Sequence, residues 1–364
     1  MKIGILTFHY ARNYGASLQA FGLQEVLKSM GHQVQILDYH NPKISYRKSP
    51  FAFKQFVANP FRYLMRVVNI YYGYRISVRN FKDFEKKYLN VTQKEWTKED
   101  VQRFDGDCII IGSDQVWNPI ITGGPDPVYW GIGKPEKAKL VTYAASSGDV
   151  ALFDTEQFRD VSAWLMNFDA LSVREERLKA YLEKHTDQKV TVVVDPTLLA
   201  GRDIFERITA KRLFQEPYIL LYHVESSPAL LKIARQLSKQ YHSKIISISP
   251  QASSKRLHNR DITCYNASVG EMLSLIKYAE CVVALSFHGT VLSLIFEKDF
   301  YSVKGNNMAR VESVLVKCNL KDRIVCNTND IKMSHIDYSK VTPIVQNMAL
   351  ESKEWLEKAL CNLV

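Results

Sequence analysis

The chain has 364 residues, a length that suits two domains of about 150–200 residues better than one core. Apolar residues make up 46% and charged residues 24%, which excludes extensive disorder and fibrous repeats. The formal net charge of +10 is concentrated: residues 43–87 hold eleven Lys/Arg against two acids, Asp83 and Glu85, together with eleven Phe/Tyr. Such a local excess implies no nucleic-acid partner.

No run approaches the ~18 apolar residues of a membrane span. The start, MKIGILTFHYARNYG, reads as a strand and a glycine turn and lacks the features of a signal peptide, so a cytoplasmic location is expected. The six cysteines form no C-x-x-C pair and the nine histidines no H-E-x-x-H. Neither a disulfide framework nor a resident metal is expected.

In chain order, β-branched runs predict strands at Ile3–Phe8, Gln33–Asp38, Cys108–Gly112, Leu140–Ala145, Ala170–Val173 and Val190–Val194. A second series covers Tyr218–His223, Lys244–Ser249, Asp261–Tyr265, Cys281–Ser286, Phe300–Val303 and Arg323–Val325. Runs such as CIIIGS and CVVALS are apolar throughout, as in strands covered by helices on both faces. Helical spacing falls between them, at Ser17–Ser29, Pro228–Tyr241, Val269–Ala279, Thr290–Phe296, Met308–Cys318 and Val345–Leu360. The expected fold is α/β, two Rossmann-like domains facing across a cleft. Residues 1–200 form the first, with a basic-aromatic insertion at about 43–90, and residues 201–340 the second. Residues 341–364 form a terminal helix.

Ligands of such sheets bind beyond the C-terminal strand ends. After the first strand, H-Y-A-R-N-Y-G-A-S places Asn13 and Gly15 before a helix, a setting for phosphate or carboxylate. A tight turn capped by Ser17 is the alternative. The third strand ends in G-S-D-Q-V-W-N-P, where Asp114, Gln115, Trp117 and Asn118 suit a sugar, the acid also serving as base for a hydroxyl. Asp114 as a helix cap competes. T-Y-A-A-S-S-G ends the fourth strand, and Tyr143 is grouped with the acceptor residues. In S-V-R-E-E, Arg174 is either an anion clamp or the partner of Glu175 or Glu176 in a surface ion pair. In A-L-S-F-H-G-T, His288 and Gly289 enter a helix with Thr290 near its cap, which suits phosphate contact or proton transfer. Lys304 and Arg310 follow as further anion ligands.

The ordered motifs N-Y-G-A, G-S-D-Q-V-W-N, Y-A-A-S-S-G, S-V-R-E-E, V-D-P-T-L-L and S-F-H-G-T resemble the polysaccharide pyruvyl transferase family over roughly residues 1–325. The resemblance implies a glycosyltransferase B architecture. It also implies pyruvyl transfer from phosphoenolpyruvate to a galactose-type sugar of a surface polysaccharide precursor. No cofactor is implied beyond phosphoenolpyruvate as co-substrate. Many members carry an arginine two residues before the motif histidine. Here that residue is Ser286, so Arg174, Lys304 or Arg310 must supply the cation. On this reading His288 and Asp114 are catalytic. Arg174, Ser286, Gly289, Thr290, Lys304, Arg310, Asn13 and Gly15 serve the donor, and Gln115, Trp117, Asn118 and Tyr143 the acceptor.

Acceptors of this kind are often carried on an anionic lipid diphosphate. Lys54, Arg62, Arg66, Arg75 and Arg79, with Phe53, Phe56, Phe61, Tyr71 and Tyr72, then offer a surface for the inner membrane face. The alternative is a helical hairpin packed beneath the sheet. Two other functions fit the same architecture: a sugar-nucleotide glycosyltransferase, and a non-catalytic carbohydrate- or lipid-binding member of an assembly pathway.

Overall fold

A computed structural model describes residues 1–46, 60–223, 227–248, 262–305 and 308–361, with all their side chains except those of 45, 46, 60–73 and 264. The first half contributes β1 (Lys2–Leu6), β2 (Gln33–Ile36), β3 (Cys108–Ile111), β4 (Lys139–Thr142), β5 (Leu171–Val173) and β6 (Val190–Val192). The second contributes β7 (Tyr218–Tyr222), β8 (Lys244–Ile248), β9 (Ile262–Tyr265), β10 (Cys281–Ala284), β11 (Asp299–Val303) and β12 (Ile324–Val325). The principal helices are α1 (Tyr14–Ser29), α2 (Pro60–Tyr88), α3 (Pro196–Glu206), α4 (Pro228–Gln240), α5 (Val269–Lys277), α6 (Phe287–Ile295), α7 (Ala309–Lys317) and α8 (Tyr338–Cys361).

The strands form a β2-β1-β3-β4 sheet, a β12-β11-β10-β7-β8-β9 sheet and a β5-β6 pair, and every ladder among them is parallel. Bridges Val141↔Ala170 and Ala145↔Val173 append the pair to β4, so the first half is one continuous layer. All four residues of β3 and all four of β10 are buried, because helices cover both faces of these central strands.

Three features join the halves. Tyr14, in the first turn of α1, donates its hydroxyl to the Ala267 carbonyl at 2.7 Å. The helix α3 crosses between the lobes and is broken at Gly201, whose φ of 68° and ψ of −174° are not helical. The terminal helix α8 returns to the first half, where Ser352 Oγ accepts a hydrogen bond from Val194 N at 3.0 Å.

Two cap assignments change. Asn13, not Ser17, caps α1 by accepting from Gly15 N at 2.9 Å. Ser286, not Thr290, caps α6 by accepting from Gly289 N at 3.0 Å, which moves His288 into the first turn. In the basic-aromatic insertion, residues 60–88 form a single helix. Phe53, Lys54 and Phe56 lie outside the described residues, as do the side chains of Phe61, Arg62, Arg66, Tyr71 and Tyr72.

Candidate active site

The C-terminal ends of β1, β3, β7, β10 and β11 converge on a cavity of about 330 Å³. Asn13, Asp114 and Gln115 line it from the first half, and Ser286, Phe287, His288 and Arg310 from the second. A second cavity of about 170 Å³ adjoins it. Phe287 and Arg310 line both, and Arg174 and Asp195 line the second.

His288 is seated by its neighbours. The capped start of α6 fixes its backbone, and the imidazole lies over Gly15, where a Cβ would overlap Nδ1. A close approach of this kind requires glycine at position 15. Nε2 is 3.7 Å from Asp195 Oδ1, too far for a hydrogen bond, and has no hydrogen-bond partner among the described residues. Burial lowers the pKa of His288 below the ordinary histidine value. Asp195 opposes the shift, and the charges of Arg174 and Arg310 add to it. The neutral imidazole is thereby favoured at neutral pH.

Asp195 anchors the floor. It caps α3 through Oδ1, which accepts from Thr197 N at 2.9 Å and from Thr197 Oγ1 at 2.6 Å. Its Oδ2 faces Arg174 Nη2 at 3.0 Å, both side chains being buried. Burial pushes the Asp195 carboxyl up, but Arg174, His288 and Thr197 together hold it below the usual carboxylate range. Arg174 Nη2 also donates to Ser113 Oγ at 2.5 Å, while Nε and Nη1 are buried with no partner among the described residues. Arg174 thus belongs to a buried pair with Asp195, and the expected surface pair with Glu175 or Glu176 is not what forms.

The second guanidinium, Arg310, stands across Phe287. Its Cζ lies 5.7 Å and that of Arg174 5.2 Å from the ring centroid. Arg310 Nε is likewise buried without a partner among the described residues, and burial followed by the Arg174 charge lowers its pKa. Glu175 is the nearby counter-charge. Its Oε1 accepts from Ser146 Oγ at 2.5 Å, and burial chiefly raises its pKa despite Arg174 and Arg310. At the rim, Asp114 has a left-handed φ of 74° and accepts from Gln115 N at 2.8 Å.

Several expected residues do not reach the cavity. Trp117 is 1% exposed, stacks on Trp130 at 4.4 Å and donates its Nε1 hydrogen to the Tyr129 carbonyl, so it belongs to the core. Asn118 caps a short helix by accepting from Ile120 N, and its amide donates to Gln115 Oε1. Tyr143 is fully buried and donates to the Val194 carbonyl. Thr290 is spent on the Ser286 carbonyl and Ser302 Oγ, and Gly289 packs against Tyr222 and Ala284. Lys304 is exposed and lines neither cavity.

Sequence reasoning assigned no role to Ser113, Asp195 or Phe287, although each stands within one of the strand-end motifs. The usable signal for Asp195 was an acid followed by proline at a strand end, the same position in the fold as the other motifs. It also missed a possible metal-ligand group. His9, at the head of the first strand-end motif, and Asp38 and His40, after the second strand, bring one ligand atom each within 4.8 Å of one another.

Residues 13–307 match a family model described as polysaccharide pyruvyl transferase. None of the curated proteins matches the sequence. Among solved structures, UDP-N-acetylglucosamine 2-epimerase from Rickettsia bellii is 12% identical with a TM-score of 0.57, over 100% of this chain and 97% of that one. An S. aureus MnaA–UDP co-structure is 11% identical with a TM-score of 0.55, over 100% and 98%. The Methanocaldococcus jannaschii UDP-GlcNAc 2-epimerase in complex with UDP-GlcNAc and UDP is 13% identical with a TM-score of 0.53, over 100% of both chains. At such identities the likeness establishes the fold alone, two Rossmann-like domains of glycosyltransferase B type.

Proposed function

The chain belongs to the polysaccharide pyruvyl transferase family and is a transferase, and from that premise we propose that it moves the pyruvyl group of phosphoenolpyruvate onto two hydroxyls of a sugar, releasing phosphate. One observation carries this reading. Arg174 Nε and Nη1, Arg310 Nε and His288 Nε2 are buried with no hydrogen-bond partner among the described residues. Each such group costs about 1–3 kcal/mol, and more when charged. An anion with two separated acidic groups, a phosphate and a carboxylate, relieves that cost. Arg310 then supplies the cation for which Ser286 leaves room.

Protonation of the methylene carbon makes the central carbon electrophilic, and a sugar hydroxyl adds there. The carbon–oxygen bond to phosphate breaks with its electron pair on the phosphate, and a second hydroxyl closes the ketal. The two hydroxyls release two protons, matching one gained by the methyl group and one by phosphate, so no oxidant or reductant is involved. His288 contacts the phosphate and protonates it as it departs. Arg174 and Arg310 clamp the donor, Asp114 is the base for the attacking hydroxyl, and Gln115 orients the acceptor. The acceptor is a galactose-type residue on a lipid diphosphate. The exposed Arg75, Arg79, Lys82 and Lys86 of α2 meet the anionic surface that carries it, at about 1 kcal/mol per basic residue. Among the described residues no helix is long and apolar enough to cross a membrane.

The test is incubation with phosphoenolpyruvate and a lipid-linked galactoside. The expected result is phosphate release and an acceptor heavier by pyruvate less water. Activity with a nucleotide sugar alone would replace this reading with glycosyl transfer, and binding without turnover would replace it with a carbohydrate-binding role. Undiminished turnover by both His288→Ala and Asp114→Asn would overturn the residue roles.

A further inference from the structure

Away from the cavity, the loops after β1 and β2 bring two imidazoles to one carboxylate oxygen. His9 Nε2 lies 2.9 Å and His40 Nε2 2.7 Å from Asp38 Oδ1. The far nitrogen of each ring also faces oxygen: His9 Nδ1 is 3.2 Å from the Thr7 carbonyl, and His40 Nδ1 is 3.6 Å from Glu95 Oε2. A carbonyl only accepts, so His9 carries its hydrogen on Nδ1. Its neutral form then aims the Nε2 lone pair at an acceptor, inside a side chain that is 0% exposed. A cation between the nitrogen and the carboxylate, a second proton or a metal ion, removes that conflict.

His9 repeats what metal-binding histidines show elsewhere, one ring nitrogen on the ion and the other donating to a carbonyl, while the far nitrogen of His40 has the Glu95 carboxylate near it but beyond hydrogen-bond distance. Glu85, reaching in from α2, adds a third carboxylate within electrostatic range of His9, Asp38 and His40. Tyr10 stacks on the His40 ring at 4.1 Å and fixes its plane. Ligand atoms of a tetrahedral zinc, with bonds of about 2.0–2.1 Å, stand about 3.3 Å apart. On that basis each ring nitrogen withdraws from Oδ1 by about 0.5 Å, and the three ligand atoms, within 4.8 Å of one another, settle to that common spacing.

We propose that His9, Asp38 and His40 form a binding site for a divalent transition metal of the zinc class, with a fourth position open to water. Two imidazoles and one carboxylate suit such an ion and disfavour magnesium or calcium. The ion ties the loop leaving β1 to the loop leaving β2. The first of these loops runs on to Asn13, which lines the cavity, and to Gly15, which lies against His288.

The probe is cobalt(II) added to the chelator-treated full chain, with any histidine tag removed. One equivalent should give visible absorption of a low-coordinate site, abolished by zinc, and zinc alone should raise the melting temperature. His40→Gln, at a partly exposed position, should weaken binding at least tenfold while leaving the circular dichroism spectrum unchanged. Asp38→Asn is the second variant, should His40→Gln fail to fold. Absence of the band and of the zinc-induced shift in the native chain would overturn the proposal, as would native affinity in a folded variant.

Discussion

Replacing Gly15 by alanine separates the position of His288 from the stability of the fold. Gly15 is the second residue of α1 and is not among the glycines with left-handed φ, so its backbone accepts alanine. In a helix, alanine is favoured over glycine by up to about 1 kcal/mol. The new Cβ would lie 2.5 Å from Cε1 and Cγ of His288 and closer still to Nδ1. Carbon contacts settle near about 3.5 Å, so the ring must withdraw by about 1 Å. That shift moves Nε2 from the place it now holds 3.7 Å from Asp195 Oδ1. A displacement of this size costs roughly a hundredfold in rate, about 2.7 kcal/mol. The strained rotamer costs about 0.5–1.5 kcal/mol, which the helix preference largely offsets. Phosphate release from phosphoenolpyruvate should therefore fall about a hundredfold, with urea denaturation showing stability within about 1 kcal/mol of the native chain. Native turnover in a folded Gly15→Ala protein would refute the placement of His288 at the reacting phosphate.

Other perturbations test the site's electrostatics and packing. Arg174→Met leaves Asp195 charged and buried, and should cost about 3–5 kcal/mol by urea denaturation. Adding Asp195→Leu should recover part of that loss, and equal stability of the single and double variants would contradict the pairing. Because the folded pKa of His288 lies below its unfolded value, its neutral form contributes fully above about pH 6.5, and that contribution is lost as pH falls below it. His288→Gln should therefore flatten the decline of stability between about pH 7 and pH 5, seen in melting temperatures across that range. Trp117→Ala should cost about 3–5 kcal/mol of stability through the emptied stack with Trp130, and the acceptor KM of the remaining folded protein should not change.

The layout of elements was readable because its causes are local. CIIIGS and CVVALS are apolar at every position, and only a strand covered on both faces tolerates that. Asn13 and Ser286 are short polar residues ahead of amphipathic runs, so the helix starts were near at hand even where the capping residue was misassigned. Trp117 and Tyr143 show the opposite case. An aromatic at a strand end can face a ligand or the core, and neighbours along the chain do not distinguish the two. Trp130 and the Val194 carbonyl turned both inward. Lys304 and Arg310 sit six residues apart as equivalent cations in the sequence, yet only Arg310 lines the cavities.

By itself the sequence determined that the chain alternates strands and helices in two parallel α/β units and that its polar motifs stand at strand ends, because periodicity and capping act over a few residues. Only the tertiary structure decided that Asp195 partners Arg174, that Gly15 makes room for His288, and that His9 and His40 share Asp38. Those choices depend on which buried charges and close surfaces are brought together from segments tens to hundreds of residues apart, and burial is a property of the assembled fold.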